Sequence, residues 1–342
     1  MLPRRLLIVS LFFLLACTAF AQTANPQQYK YVFTVAKDGT GDYKFIQDAI
    51  DAMRVFPLSP ITLYIKNGVY NEKIELPSNN TDVTFIGEST DKTIITFNDY
   101  SGRGKLNTFG SYTAKIAGGR FVAENITFVN SAGPVGQAVA LHVESDKAVF
   151  KNCRFIGNQD TIYAAGESSR QFFLDCYIEG TTDFIFGPST AVFQNCTIKC
   201  KSNSFITAAN TPEAKKFGFV FLDCKIIADS AASKVYLGRP WRAWAKTAFI
   251  RCDLPEQISP SGWDNWSNAE NEKTTYYVEY KNTGKGADYT KRVNWSYQLT
   301  DKEAKEYTVE NIFATVNAVS PTGSNWFQQI RSGKFVWPSI QK

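Results

Sequence analysis

Apolar residues recur in pairs, two positions apart, inside short frames that begin with a polar residue: DVTF at 82, NITF at 125, NCRF at 152, DCYI at 175, NCTI at 195, DCKI at 223 and RCDL at 251. From 125 onward the frames start 27, 23, 20, 28 and 28 residues apart, and the step of 43 from 82 to 125 is about two such units. Residues i and i+2 of a strand face the same side. One column is therefore Val83, Ile126, Cys153, Cys176, Cys196, Cys224 and Cys252, and the other is Phe85, Phe128, Phe155, Ile178, Ile198, Ile226 and Leu254. Both columns are apolar throughout. The pattern predicts stacked coils with internal ladders: an all-β, right-handed parallel β-helix with rungs about 4.8 Å apart.

An open solenoid exposes strand edges and core at its ends. GDYKFIQDAIDAM, 41 to 53, has Ile46, Ala49, Ile50 and Met53 at helical spacing, which predicts a short capping helix at the N-terminal end. DKEAKEYTVENIF, 301 to 313, reads as a helical segment at the far end.

The chain opens MLPRRLLIVSLFFLLACTAFAQ, with two arginines, a short apolar run and a small-x-small site. This is the pattern of a secretory signal peptide over residues 1–21. Leu14-Leu15-Ala16-Cys17 also resembles a lipoprotein box, which would leave a lipid anchor at Cys17; cleavage after Ala21 is the expectation. Either reading exports the protein, to the periplasm or the medium in the first case and to an outer membrane surface in the second. Residues 22–342 carry no low-complexity linker and are read as one domain, with a monomer as the default. The net charge of +5 falls to +3 without Arg4 and Arg5. No Lys/Arg run suggests nucleic acid, and no later segment is apolar enough for a membrane span.

The 342 residues contain one histidine, His142, so a multi-histidine metal site is excluded. It sits in AVALHVESD and reads as an ordinary strand residue. The cysteines follow no CxxC pattern and read first as small core residues. Cys176 and Cys196 bracket DFIFG, and in an oxidising compartment a bridge between them stays open.

Asp160 and Asp183 lie 23 residues apart, about one coil, which would set their backbones about 5 Å apart on one wall. Gln137 is 22 before Gln159, and Arg239 is 56 after Asp183, or two coils of 28. Gln137, Gln159, Asp160, Asp183 and Arg239 thus converge on one patch, with NSFITAAN, 203 to 210, on the coil between. Two close carboxylates do not both ionise easily. Arg239 would hold one negative and leave the other protonated, a nucleophile and an acid separated by environment. The glutamine amides would receive an oxyanion. Acyl transfer at an ester fits this set. Close carboxylates also suit a retaining glycosidase, and the paired amides favour the ester.

At these residues the sequence resembles the pectin methylesterases (pectinesterases). GDYKFIQDAI, NITF, GQAVAL, QDTIY, RQFFLDCYIEGTTDFIFG, LGRPW, SGWDNW and YYVEYKNTGKGA occur in that order from about residue 32 to 313. The resemblance implies a β-helix enzyme that hydrolyses the methyl esters of pectin without metal or organic cofactor. It implies Asp183 as nucleophile, Asp160 as general acid and then base, Gln159 at the oxyanion with Gln137 contributing and binding substrate, and Arg239 orienting Asp183. It places Trp241 against the sugar, with Tyr163, Phe186 and Thr108 lining the cleft. Thr182, Gly136 and the triplet TAA at 207 to 209 depart from residues common in the family; these affect substrate preference and none removes a proposed catalytic group.

Each residue also has a structural reading: the glutamines as polar rungs, Asp183 and Arg239 as an ion pair, Trp241 as packing. Trp263, Trp266, Tyr276 and Tyr277 are read as packing. A pectate lyase would need an acidic calcium cluster, and a polygalacturonase its own aspartate blocks beside a histidine. A structural solenoid would need no acid pair.

Overall fold

The computed structural model describes residues 29–314, 326 and 327. The leader and Cys17 lie outside them. The described residues from Tyr31 on form one compact unit. Its strands are short, and nearly all visit three parallel sheets in turn, one of eleven strands and two of seven. This is the right-handed parallel β-helix expected from the repeat. Among the described residues no helix is long and apolar enough to cross a membrane.

The ladders have a physical basis in each rung. Phe128, Phe155, Ile178, Ile198 and Ile226 pair across successive coils and are buried. A second ladder runs through Phe150, Phe173, Phe193, Phe221 and Phe249, with neighbouring rings stacked 4.3–4.9 Å apart. Such aromatic pairs add about 0.5–1.5 kcal/mol each beyond the area they bury.

The frame at 82 does not belong to the other column. Val83 and Phe85 pair with Ile61 and Leu63 in the eleven-stranded sheet, whereas Phe128 pairs back to Ile95 and Tyr70 in a seven-stranded sheet. The reason is a shared bend chemistry. Asp82 opens its strand at φ 56°, alongside Arg120 at φ 58°, and Asn125, Asn152, Asp175, Asn195 and Asp223 open the others at φ 49–60°. Asn and Asp tolerate this left-handed conformation best among residues with a side chain. A polar residue followed by two inward apolar positions therefore occurs at two different corners.

The helix Ile46–Asp51 forms inside the predicted segment and buries Ile46, Ala49 and Ile50 in the main core. The carboxylate of Glu72 accepts the first backbone N–H groups of this helix, from Ile46 and Gln47, at 2.9 and 3.1 Å. The far segment differs from expectation. It forms two short helices, Asp301–Ala304 and Val309–Phe313. Val309, Ile312 and Phe313 pack with Phe172, Val192 and Val220 in a second apolar cluster outside the main core. They cover the side of the eleven-stranded sheet and do not plug the end. In the last coils Trp263 stacks on Tyr277 at 4.3 Å, and Arg292 bonds Glu279 at 2.7 Å where both are buried.

All six described cysteines are free and buried. The Cys176–Cys196 bridge left open by spacing is absent here. Cys176 and Cys196 instead point their thiols at the carbonyls of Phe150 and Phe173 at 3.3 and 3.5 Å.

Candidate active site

The strands that carry the site belong to one seven-stranded sheet. Ile162 pairs with Ile185 and Tyr163 with Phe186, an offset of 23. Asp160 and Asp183 stand at the same corner on adjacent coils, at φ 65° and 50°, and Asp160 N–H donates to Thr182 O at 3.0 Å. Their backbones are thus one rung apart, about 4.8 Å. Gln137 and Gln159 form a parallel bridge one position earlier. Both carboxylates are buried, 7 % and 5 % exposed.

Arg239 arrives by a different route from the one its spacing implied. Phe205, the neighbour of Asp183, pairs with Tyr236 at an offset of 31. Arg239 therefore stands three residues further along its strand, and its side chain reaches back. Nε donates to Asp183 Oδ1 at 3.0 Å and Nη2 to Oδ2 at 2.7 Å, a two-pronged carboxylate grip. The guanidinium lies between the Phe205 ring, 4.0 Å away, and the Trp266 ring, 3.6 Å away. At Gly238, next in the chain, a Cβ would run into Thr207 Oγ1, so glycine allows the close approach of this strand.

These groups open onto a cleft of about 190 Å³. Of the residues singled out in the sequence, Thr108, Gln137, Gln159, Asp160, Asp183, Phe186, Arg239 and Trp241 line it. Tyr163 does not reach the lining but stacks on Phe186 at 4.7 Å. Three lining residues were missed: Phe109, Ala208 and Trp266. Trp266, read as packing, is a cleft residue, while Trp263 and Tyr277 are core as expected. The signal for Trp266 lay in the SGWDNW block. Its backbone N–H donates to Asp264 Oδ1 at 2.7 Å in a turn with Trp266 at φ 60°. His142 is an outward strand residue in the same sheet, edge-on to Tyr163 at 4.8 Å.

Burial raises the pKa of both aspartates. At Asp183 the hydrogen bonds and charge of Arg239 oppose this shift. Asp160 receives no hydrogen bond from the described residues, and burial together with the charge of Asp183 pushes it up to about 8. The one guanidinium is committed to Asp183, so a proton shared by the pair rests on Asp160 at neutral pH. The wall then holds a carboxyl gripped by a guanidinium, a second carboxyl whose pKa is pushed up to about 8, and two glutamine amides with no partner among the described residues. That set can attack a carbonyl, receive an oxyanion and protonate a leaving group.

A sequence profile of the family described as Pectinesterase matches residues 32–316. Pectinesterase 31 of Arabidopsis thaliana is 39% identical over 80% of this chain and 89% of its own length. A pectinesterase of Petunia integrifolia is 41% identical over 80% of this chain and 77% of its own length. The chain spans about half, 53%, of a longer Arabidopsis relative named probable pectinesterase/pectinesterase inhibitor 23. Among solved structures, a pectin methylesterase from carrot superposes with a TM-score of 0.80 at 33% identity, covering 89% of this chain and 96% of that one. A pectin methylesterase in complex with a hexasaccharide superposes with a TM-score of 0.71 at 30% identity, covering 86% and 99%.

Proposed function

This chain belongs to the pectinesterase family, and from that premise we propose that it removes methyl esters from the galacturonate units of pectin through the Asp183–Asp160 pair. Asp183, held by Arg239, attacks the C6 carbonyl of an esterified unit. The amides of Gln159 and Gln137 receive the negative oxygen of the tetrahedral intermediate. Asp160 gives its proton to the departing methoxide, and methanol leaves. The acyl group is then an anhydride with Asp183. Asp160, now ionised, takes a proton from water, which attacks C6 and returns Asp183 as a carboxylate.

Thr108, Phe186 and Trp241 would position the sugar, with Tyr163 stacked beside Phe186 on the adjacent coil. The observation that carries this reading is the two-pronged bond of Arg239 to Asp183, at 3.0 and 2.7 Å, with Asp160 one rung away and left out of it. This asymmetry gives two identical side chains different roles. The mechanism uses no metal or organic cofactor. The same reading takes the protein as exported after loss of residues 1–21, periplasmic or secreted, and monomeric.

The test is to incubate the purified protein with highly methylated pectin and follow methanol, reducing ends and ultraviolet-absorbing unsaturated ends in parallel. The esterase reading expects methanol alone. New reducing ends would indicate a glycosidase, and unsaturated ends a lyase.

A further inference from the structure

The row of side chains that lines the cleft continues beyond it. Arg239, Ala208, Phe186, Tyr163 and His142 stand in register across five adjacent strands of one sheet. His142 is therefore two rungs from Phe186, about 10 Å. It is only 5 % exposed, because the loop that carries Thr108 and Phe109 lies over it. Nδ1 is 3.3 Å from the carbonyl oxygen of Phe109, and the Tyr112 ring stands edge-on to the imidazole at 5.9 Å. A carbonyl only accepts, so Nδ1 carries the hydrogen of this bond. Glu144 Oε1 lies 3.0 Å from Nε2, yet Nε2 has no hydrogen-bond partner of good geometry among the described residues. Lys115 shares the Glu144 carboxylate at 3.7 Å. Burial holds the pKa of His142 below its ordinary value, against the pull of Glu144. The ring at neutral pH thus has one N–H, and that N–H is committed to the loop.

The loop needs such anchors. Thr108 and Phe109 line the cleft but stand in a single 3₁₀ turn, Thr108–Gly110, outside the three sheets. The Phe109 ring is 40 % exposed, 5.0 Å from Tyr163 and 6.5 Å from Trp241. Three other bonds tie the loop down. Lys73 Nζ donates to Gly110 O at 2.6 Å and to Asp99 at 2.7 Å. The Ser101 N–H donates to Gln137 O at 2.8 Å. The His142 bond acts at Phe109 itself.

We infer that His142 is a positioning residue for substrate binding: its Nδ1–H holds the Phe109 carbonyl, and through it sets Thr108 and the Phe109 ring at the edge of the cleft. The imidazole touches neither aspartate and takes no part in the chemical step. Its loss therefore acts on binding of substrate and transition state alike, which raises KM and leaves kcat in place. This inference rests on the esterase reading above and deepens it by adding a residue that governs how well the cleft receives the polymer.

The test exploits the single histidine of the chain. In untagged protein labelled with heavy nitrogen at the imidazole, NMR at neutral pH should show a hydrogen on Nδ1 and a bare Nε2. Methanol release from highly methylated pectin is then measured for wild type, His142→Asn, His142→Gln and His142→Phe, each checked for folding by thermal unfolding. The Asn amide nitrogen falls where Nδ1 stands and the Gln amide nitrogen where Nε2 stands, while Phe keeps a ring beside Tyr112 and Tyr163 with no donor. Gln and Phe should each raise KM about five-fold, with kcat within about two-fold of wild type. Asn should keep KM within about two-fold. A role in packing alone would instead spare Phe and penalise Asn. The inference is overturned if Nδ1 carries no hydrogen, if Asn raises KM as much as Phe does, or if Gln and Phe leave KM unchanged. Absence of methanol release by wild type would sink the esterase reading, and the nitrogen spectrum would still judge the anchor.

Discussion

Arg239 grips both carboxylate oxygens of Asp183 and leaves Asp160, on the adjacent coil, without a hydrogen bond from the described residues. Two chemically equal groups become unequal through the reach of one side chain. A planar guanidinium does this in a way that a single ammonium does not, because it offers two parallel donors and stacks between Phe205 and Trp266. Arg239→Lys keeps the charge and loses the fork and the stacking. It should lower kcat for methanol release on the order of 100-fold, the scale expected when a reacting group is misplaced by about 1 Å. A change of less than about three-fold would show that charge alone suffices.

The pair also sets the pH dependence. In the proposed mechanism Asp160 carries the proton that releases methanol, and its pKa is pushed up to about 8. Activity should therefore fall as pH rises through about 8, read as kcat/KM in a buffer series. The two carboxyls titrate as a coupled pair, so the limb belongs to the dyad.

The same shift acts on stability. A group whose folded pKa is raised binds its proton longer in the folded state. Its stabilisation is full below the ordinary value near 3.8 and is lost as pH rises through about 8. Between those values Asp160 contributes a slope of about −1.4 kcal/mol per pH unit. Asp160→Asn should remove that slope, measured by urea unfolding at several pH values. An unchanged slope would contradict the assignment.

The glutamines should separate by readout. Gln159→Ala should cost about 100- to 1,000-fold in kcat, the usual effect of losing one oxyanion donor. Gln137→Ala should lower kcat and raise KM together if, as proposed, Gln137 also binds substrate. Initial rates of methanol release against pectin concentration resolve the two.

The cysteines should be unreactive while the protein is folded. Cys153, Cys176, Cys196, Cys200, Cys224 and Cys252 are all buried as free thiols. Intact-mass measurement after treatment with an alkylating reagent should find them unmodified in buffer and all six modified in denaturant. A pair that stays unmodified in denaturant without reductant would reveal a disulfide.

The chemistry of the inward columns made most of the fold legible. Only apolar residues survive between stacked coils, so Cys153 to Cys252 and Phe128 to Ile226 announce themselves. Corner positions are harder to read, because Asp82 and Asn125 adopt the same left-handed bend at different corners. Coil length is hidden as well. Extra residues loop out at a corner without disturbing any column, which is why the 31-residue step from Phe205 to Tyr236 defeats a count of 28. Asp160 and Asp183 were legible because no insertion separates them. Trp266 was not, since it comes from a turn that has no place in the repeat. The segment 301–313 was recognisably helical, but its apolar face suits the side of a sheet as well as an end.

The most direct test of the account is methanol release from highly methylated pectin by Asp183→Asn, with circular dichroism and thermal unfolding to show that the variant is folded. The account predicts a native-like spectrum and activity lower by roughly 10⁴-fold or more, the scale of losing a member of a catalytic unit. A folded Asp183→Asn protein that releases methanol at the wild-type rate would contradict it.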